Sequence, residues 1–413
     1  MQVPELGLSG KGALHNVLSK GGINLGAAIE QALWQQDGLL YAWEKVLAVA
    51  IKDSGSCGYI VSSILIQRQG KALTVSEEVV KAAAANEGDY GFVIMQQLFE
   101  RYGHSLPVSE EVVKAAAAND GRYGPAILQR LFEYYGHRLP VSEEVVKAAA
   151  ANEGDYGFLI MQQLFEYYGD SLPVSEEVVK VAAANEGPPI MQQLFERYGD
   201  SLPVSEEVVK AAAANDGRYG PAIMQQLFEY YGHSLPVSEE VVKAAATNKG
   251  DHGFVIMQQL LKQYGNKLTL SEAVVKAAAA NNGRHGFAIM QQLFECYGNR
   301  LPVSEEVVKA AAANEGDYGF VIMQQLFERY GDSLPVSEEV VKAAAANEGD
   351  HGFVIMQQLL KQYGNKLTLS EAVVKAAAAN NGRHGFAIMQ QLFKYYGDNL
   401  PVSEEMVKTA AAT

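Results

Sequence analysis

The sequence predicts an all-α solenoid built from 33-residue helix–turn–helix repeats. Three observations carry that expectation. A motif reading S-E-[EA]-x-V-K-x-A-A occurs eleven times, at Ser76, Ser109, Ser142, Ser175, Ser205, Ser238, Ser271, Ser304, Ser337, Ser370 and Ser403. The step is 33 residues throughout, except for 30 between Ser175 and Ser205. Each period also holds two apolar runs separated by a glycine-containing turn, the pattern of paired short helices. Units of this size cannot bury a face alone and are stable only when stacked on neighbours.

The repeat from Ser76 to Val108 shows how each element arises. Ser76 suits an N-cap, and Glu77 and Glu78 follow where the helix dipole favours negative charge. Glu77 and Lys81 have the i,i+4 spacing of a surface pair. Val79, Val80 and Ala82 to Ala85 make a short helix of small residues, closed by Asn86 and Gly88, which tolerate the left-handed conformation. A second helix is expected from Phe92 to Tyr102, with Ile94, Met95, Leu98, Phe99 and Tyr102 forming its buried stripe and Gly103 ending it. Leu106-Pro107-Val108 then returns in extended form, because proline biases its predecessor away from helix.

The register extends upstream, since Trp43 lies one period before Ser76. Residues 43–75 read as a degenerate first repeat, 1–42 as an N-terminal helical cap, 76–402 as ten full repeats and 403–413 as a half-repeat. That half-repeat has no polar cap after it, which suggests either truncation or an exposed stacking face. In the short repeat, Pro188-Pro189 replaces part of the turn and is expected to bend the array locally. Residues 252–294 recur unchanged as 351–393, the mark of whole-repeat duplication.

Composition narrows the partner classes. A net charge of −15 argues against a nucleic-acid backbone or an anionic membrane. Only Cys57 and Cys296 are present, too few for a disulfide framework. There is no signal-peptide pattern and no apolar run long enough to span a bilayer, so a cytoplasmic protein is expected.

In length the repeat resembles ankyrin repeats, although it lacks their T-P-L-H signature and has no room for their β-finger. More closely, Glu77 to Ala84, Asn86, Ile94-Met95 and Leu98-Phe99 resemble the C-terminal repeats of filamentous-fungal NOD-like (NACHT-type STAND) receptors. The resemblance covers residues 76–413. It implies a ligand-sensing array; the nucleotide-binding domain that precedes such repeats is not in this sequence.

A search for chemistry finds no catalytic constellation, cofactor motif or metal site. Gly10-Lys11-Gly12 has Glu5 and Gly12 where a phosphate loop needs Gly and Ser or Thr. His252, His285, His351 and His384 occupy a turn position held elsewhere by Tyr90, Tyr123, Tyr156, Tyr219 and Tyr318, and read as half-exposed aromatics. Asp89, Arg122 and Asp155 alternate in sign at successive turns, predicting ion pairs between repeats. Asn86 and its equivalents are expected to form a hydrogen-bond ladder in which each bonds the next turn, and Gln96-Gln97 recurs in a structural role.

The most variable exposed position lies just before the end of the second helix. It reads Arg101, Tyr134, Tyr167, Arg197, Tyr230, Gln263, Cys296, Arg329, Gln362 and Tyr395. Tyr and Arg are the types enriched at binding hot spots, so this stripe, without the cysteine, is the candidate partner surface. The expected function is a non-enzymatic protein-recognition scaffold, with the sensor repeats of a fungal NOD-like receptor as its specific form. The alternative is a structural protein whose repeat ends stack copy upon copy into oligomers or filaments.

Overall fold

The structure is a computed structural model describing residues 47–52, 55–69, 75–187, 190–265, 267–367 and 369–402. Among these residues there are helices and turns but no strand. The chain divides into two compact units, residues 1–193 and 194–413. In the first, helix α1 (Ser56–Gln69) precedes first helices α2 (Glu77–Ala84), α4 (Glu110–Ala117), α6 (Glu143–Ala150) and α8 (Glu176–Ala184). These alternate with second helices α3 (Gly91–Tyr102), α5 (Gly124–Tyr135) and α7 (Gly157–Tyr168). Helix α9 (Ile190–Tyr198) contains the division.

In the second unit the first helices are α10 (Glu206–Ala214), α12 (Glu239–Thr247), α14 (Glu272–Ala279), α16 (Glu305–Ala312), α18 (Glu338–Ala345) and α20 (Glu371–Ala378). Their second helices are α11 (Gly220–Tyr231), α13 (Gly253–Tyr264), α15 (Gly286–Tyr297), α17 (Gly319–Tyr330), α19 (Gly352–Tyr363) and α21 (Gly385–Tyr396). Within each unit, first helices pack on first helices and second on second, one layer per repeat. The expected α-solenoid is the observed fold.

The layers follow from side-chain size. Val79, Val80, Ala83 and Ala84 are fully buried in α2, where alanine lets neighbouring first helices approach closely. Ile94, Met95, Leu98 and Phe99 fill the space behind them. A short 3-10 turn, Gly103–Ser105, joins each second helix to its extended return. Gly103 stands at φ +53°, a left-handed conformation that costs glycine little. Gly265 and Gly364 hold the same sequence position at φ −53°. There the demand is space: a Cβ on Gly265 would lie 2.5 Å from Cys296 Sγ, and one on Gly364 would strike the Tyr395 ring.

The helix ends correct the expected left-handed closure at Asn86 and Gly88. Among the described residues no non-glycine residue has positive φ, and Gly88 is not one of the glycines that do, so neither closes the first helix by a left-handed turn. Asn185, for instance, is extended at φ −67° and ψ 125°. The side chain acts instead. Asn119 Nδ2 donates to the carbonyls of Ala84 (2.8 Å) and Asn86 (3.0 Å) one repeat back, and its Oδ1 accepts from the Gly121 amide at 2.9 Å. The same triple connection recurs at Asn152, Asn248, Asn281, Asn314 and Asn347. The ladder that the sequence suggested thus runs toward the preceding repeat.

Asn86 bonds the Ile51 carbonyl, so residues 47–52 take the place of a first helix. The cap at 1–42, Trp43, the half-repeat at 403–413 and the bend at Pro188-Pro189 lie outside the described residues.

The N-cap serines carry more than a cap. Ser142 Oγ accepts from the Glu144 amide, whereas Ser76 and Ser109 make no side-chain cap bond. Ser109 Oγ donates to Glu77 Oε1 at 2.7 Å, and Ser142 Oγ to Glu110 at 2.6 Å. The first glutamate of most motifs therefore clamps the next repeat, as at Glu77, Glu110, Glu143, Glu206 and Glu305. Replacing Asn314 by Ala removes three hydrogen bonds and leaves buried partners at Ala279, Asn281 and Gly316 unsatisfied. The expected loss is about 3 kcal/mol, read by urea denaturation, against a change near zero for the exposed neighbour Glu315→Ala.

Candidate recognition surface

Three exposed strips run along the layers within each unit. The first is the outer face of the first helices, nearly uniform in sequence and closed on itself by charge. Lys81 meets Glu111 at 2.7 Å, Lys114 meets Glu144 at 3.3 Å and Lys276 meets Glu306 at 2.7 Å, each one repeat apart. The expected Glu77–Lys81 pair gives way to this cross-repeat link, because Glu77 is engaged by Ser109. Where the second glutamate is Ala273 or Ala372, the preceding lysine has no forward partner. Lys243 and Lys342 turn back to Glu240 and Glu339 at 3.6 and 3.5 Å. Hydrogen bonding to lysine holds the carboxyls of Glu111 and Glu306 below their usual range. In a cleft of about 580 Å³ lined by Lys52, Glu78, Lys81 and Glu87, the first two pair with each other and Lys81 with Glu111.

The second strip is the turn edge. The residue after the acidic or basic turn position lies against the first aromatic of the preceding second helix. Phe92 and Tyr123 stack at 5.9 Å between centroids, and Phe320 and His351 at 4.8 Å. Three of the four recurring histidines, His285, His351 and His384, accordingly serve as aromatic neighbours, whereas the repeat before His252 has Pro221 in place of the phenylalanine. No group of three or more metal-ligating residues occurs among the described residues. The ion pairs expected from the alternating signs do not form: among the described residues none links Arg122 to Asp89 or Asp155. Arg122 and Arg218 lie over their neighbouring Tyr123 and Tyr219 rings at 5.6 and 4.6 Å.

The third strip is the last turn of the second helices, where the candidate stripe is found. Arg101, Arg197, Tyr230, Gln263, Arg329 and Tyr395 are exposed there, while Tyr134, Tyr167 and Gln362 are half-buried. The structure thus places one stripe residue per layer, and gives several of them a packing duty as well. Tyr134 stacks on Phe99 at 4.3 Å, Tyr167 on Phe132 at 4.0 Å and Tyr230 on Phe195 at 4.8 Å. Arg329 lies 4.9 Å over the Phe294 ring and donates to the Phe294 carbonyl at 3.3 Å. Each such residue covers the phenylalanine of the repeat before it, so only its other face is available to a partner.

The next residue is a tyrosine that ties the layers together. Tyr135 donates to the Leu106 carbonyl at 2.9 Å, Tyr168 to Leu139 at 2.8 Å and Tyr231 to Leu202 at 2.8 Å. Tyr297 departs from this pattern. Its buried hydroxyl has no partner, and burial, with Cys296 beside it, pushes its pKa up to about 12. An unfolded tyrosine ionises near 10. Tyr297 therefore contributes stability that is full below about pH 10 and is lost as pH rises through about 12. Tyr297→Phe should delete the highest-pH step of a phenolate absorbance titration. Tyr135→Phe, which loses a hydrogen bond, should cost about 1 kcal/mol in denaturant unfolding.

Beside Arg329 the structure opens a cleft of about 520 Å³ between α15 and α17, with Phe294, Val321, Gln325, Glu295 and Glu328 in its lining. The sequence signal for it was the recurring glutamine pair, which was read as structural. That reading holds in part. Gln193, Gln259 and Gln325 donate through Nε2 to the carbonyls of Phe158, Pro221 and Phe287 in the repeat before. Their Oε1 atoms are buried and accept no hydrogen bond, as are those of Gln97, Gln163, Gln292 and Gln358. An unsatisfied buried acceptor costs about 1–3 kcal/mol.

Ten stretches match one family, described as a domain of unknown function, DUF7104: residues 64–95, 98–122, 131–157, 164–191, 194–224, 227–257, 260–290, 293–323, 326–356 and 359–389. The chain belongs to this family. Most of the DUF7104 stretches begin within a second helix and end at the start of the next, so the family's unit is one stacking step, with return, first helix and turn inside it. No curated protein matches the chain. The family description names neither ankyrin repeats nor fungal receptors. No helix among the described residues is long and apolar enough to cross a membrane.

Proposed function

We propose that this DUF7104 array is a non-enzymatic scaffold that recognises a protein partner along the last turns of its second helices. The observation that carries the reading is the division of labour between surfaces. First-helix faces are nearly invariant and their charges pair with one another, whereas the Tyr/Arg stripe varies from layer to layer and remains open on one side. Variation on a rigid, repeated frame generates distinct surfaces from one fold. Tyr and Arg supply contact area at modest cost in conformational entropy. A net charge of −15 favours neutral or basic partners over nucleic acid or an anionic bilayer. The resemblance to fungal NOD-like receptor repeats makes ligand sensing in the cytoplasm the specific form of this proposal.

A second reading is the stacking of copies through repeat faces, whose polar rungs are chemically alike from layer to layer. Photo-crosslinking distinguishes the two readings. A benzophenone side chain replacing Tyr230 or Arg329 should capture a partner protein, and one replacing Ala313 on the first-helix strip should not. Equal capture from both strips would refute the assignment of the surface. Light scattering that returns a constant 44.7 kDa over a hundredfold concentration range would refute stacking of copies.

A further inference from the structure

We infer that the cleft between α15 and α17 seats an extended segment of a protein partner carrying two Lys or Arg side chains three residues apart. The inference rests on the recognition reading above and names the partner's chemistry. Glu295 and Glu328 stand exposed at equivalent positions one repeat apart on the two walls. Each accepts one hydrogen bond from its own helix, from Gln291 at 2.9 Å and from Gln324 at 2.8 Å. Among the described residues no ion pair engages either carboxylate.

The cation nearest at hand does not neutralise them. Arg329 is turned onto the Phe294 ring and carbonyl. Below the carboxylates, Gln325 Nε2 is bound to the Phe287 carbonyl, which fixes the amide in the floor of the cleft. Phe294 and Val321 supply apolar wall between these groups. The site therefore asks for two cations carried on apolar stems, as a Lys- or Arg-bearing peptide provides.

Spacing selects the conformation. Packed helices lie about 8–10 Å apart, and three residues of polyproline II backbone advance about 9 Å. Side chains at i and i+3 of such a segment thus fall on successive layers. The flanking layers limit the site, because Lys262 and Lys361 replace the acid on α13 and α19. A third and fourth lysine in the same register would meet like charge.

The probe is a fluorescein-labelled proline-rich peptide with two lysines three residues apart, followed by anisotropy in buffer of about 50 mM salt, where exposed charges are weakly screened. The full chain should bind it at least tenfold more tightly than the same peptide carrying two glutamates. Glu295→Gln and Glu328→Gln should each weaken binding about tenfold, and extending the register to four lysines should gain nothing. Both glutamates are exposed, so circular dichroism should show these variants folded. Equal binding of the lysine and glutamate peptides, or unchanged binding by the two variants, would overturn the assignment. If benzophenone at Tyr230 or Arg329 still captures a partner in that case, recognition survives and only this seat is refuted. Loss of both signals refutes both.

Discussion

The buried asparagine is the contact on which the stack depends. Its carboxamide is placed so that both protons go to carbonyls of the preceding repeat and its oxygen takes the amide of its own turn. Buried amide groups are tolerable only when satisfied in this way. The apolar layers of valine, alanine, leucine and methionine supply most of the burial, yet they are nearly featureless along the array and would tolerate a slipped register. The asparagine does not tolerate it. A shift of one residue would leave its two carbonyl partners in the preceding repeat unmatched in a dry interior, so a polar rung gives uniform packing its precision.

Around that rung the remaining links fall in order of burial. Tyrosine hydroxyls reach back to return-loop carbonyls at the half-buried rim. Serine–glutamate and lysine–glutamate links decorate the solvent side. The exposed ion pairs contribute little each, and at Ala273 and Ala372 one partner is simply missing without disturbing the helices. Side chains that face a partner are drawn from the same rim. Tyr134 and Arg329 illustrate the compromise: one surface of each packs on the previous phenylalanine, which holds the side chain in place, and the opposite surface is presented outward.

Much of this was legible in the sequence because periodicity reports packing directly. The two helices, their buried stripes, Gly103 as a stop and the variable stripe all follow from spacing and residue type. Partner choice among polar side chains was less legible. Asn86 looked like a left-handed terminator and Lys81 like the partner of Glu77, because a linear reading weighs neighbours on one helix and cannot see the layer above. Asp89 and Arg122 looked complementary by sign, but Arg122 lies over its neighbouring tyrosine instead. The α15–α17 cleft escaped notice for a similar reason. Its walls come from two repeats, and the buried oxygen of Gln325 appears only when both are in place.

Within each compact unit the asparagine rung also has a direction, since a repeat donates to the one before it and presents the same carbonyls to the one after. Donor and acceptors recur at a fixed interval, so such a junction is chemically the same as its neighbours within the unit. Recombination between misaligned copies that keeps this phase therefore creates no defective seam, wherever the crossover falls. The block at 252–294 that returns at 351–393 is such an insertion: Asn281 is satisfied by Ala246 and Asn248 just ahead of the first copy, and Asn380 by Ala345 and Asn347 just ahead of the second. A lineage carrying this array is free to change its number of layers by whole steps, and with it the sequence of rim residues, without having to reinvent a core.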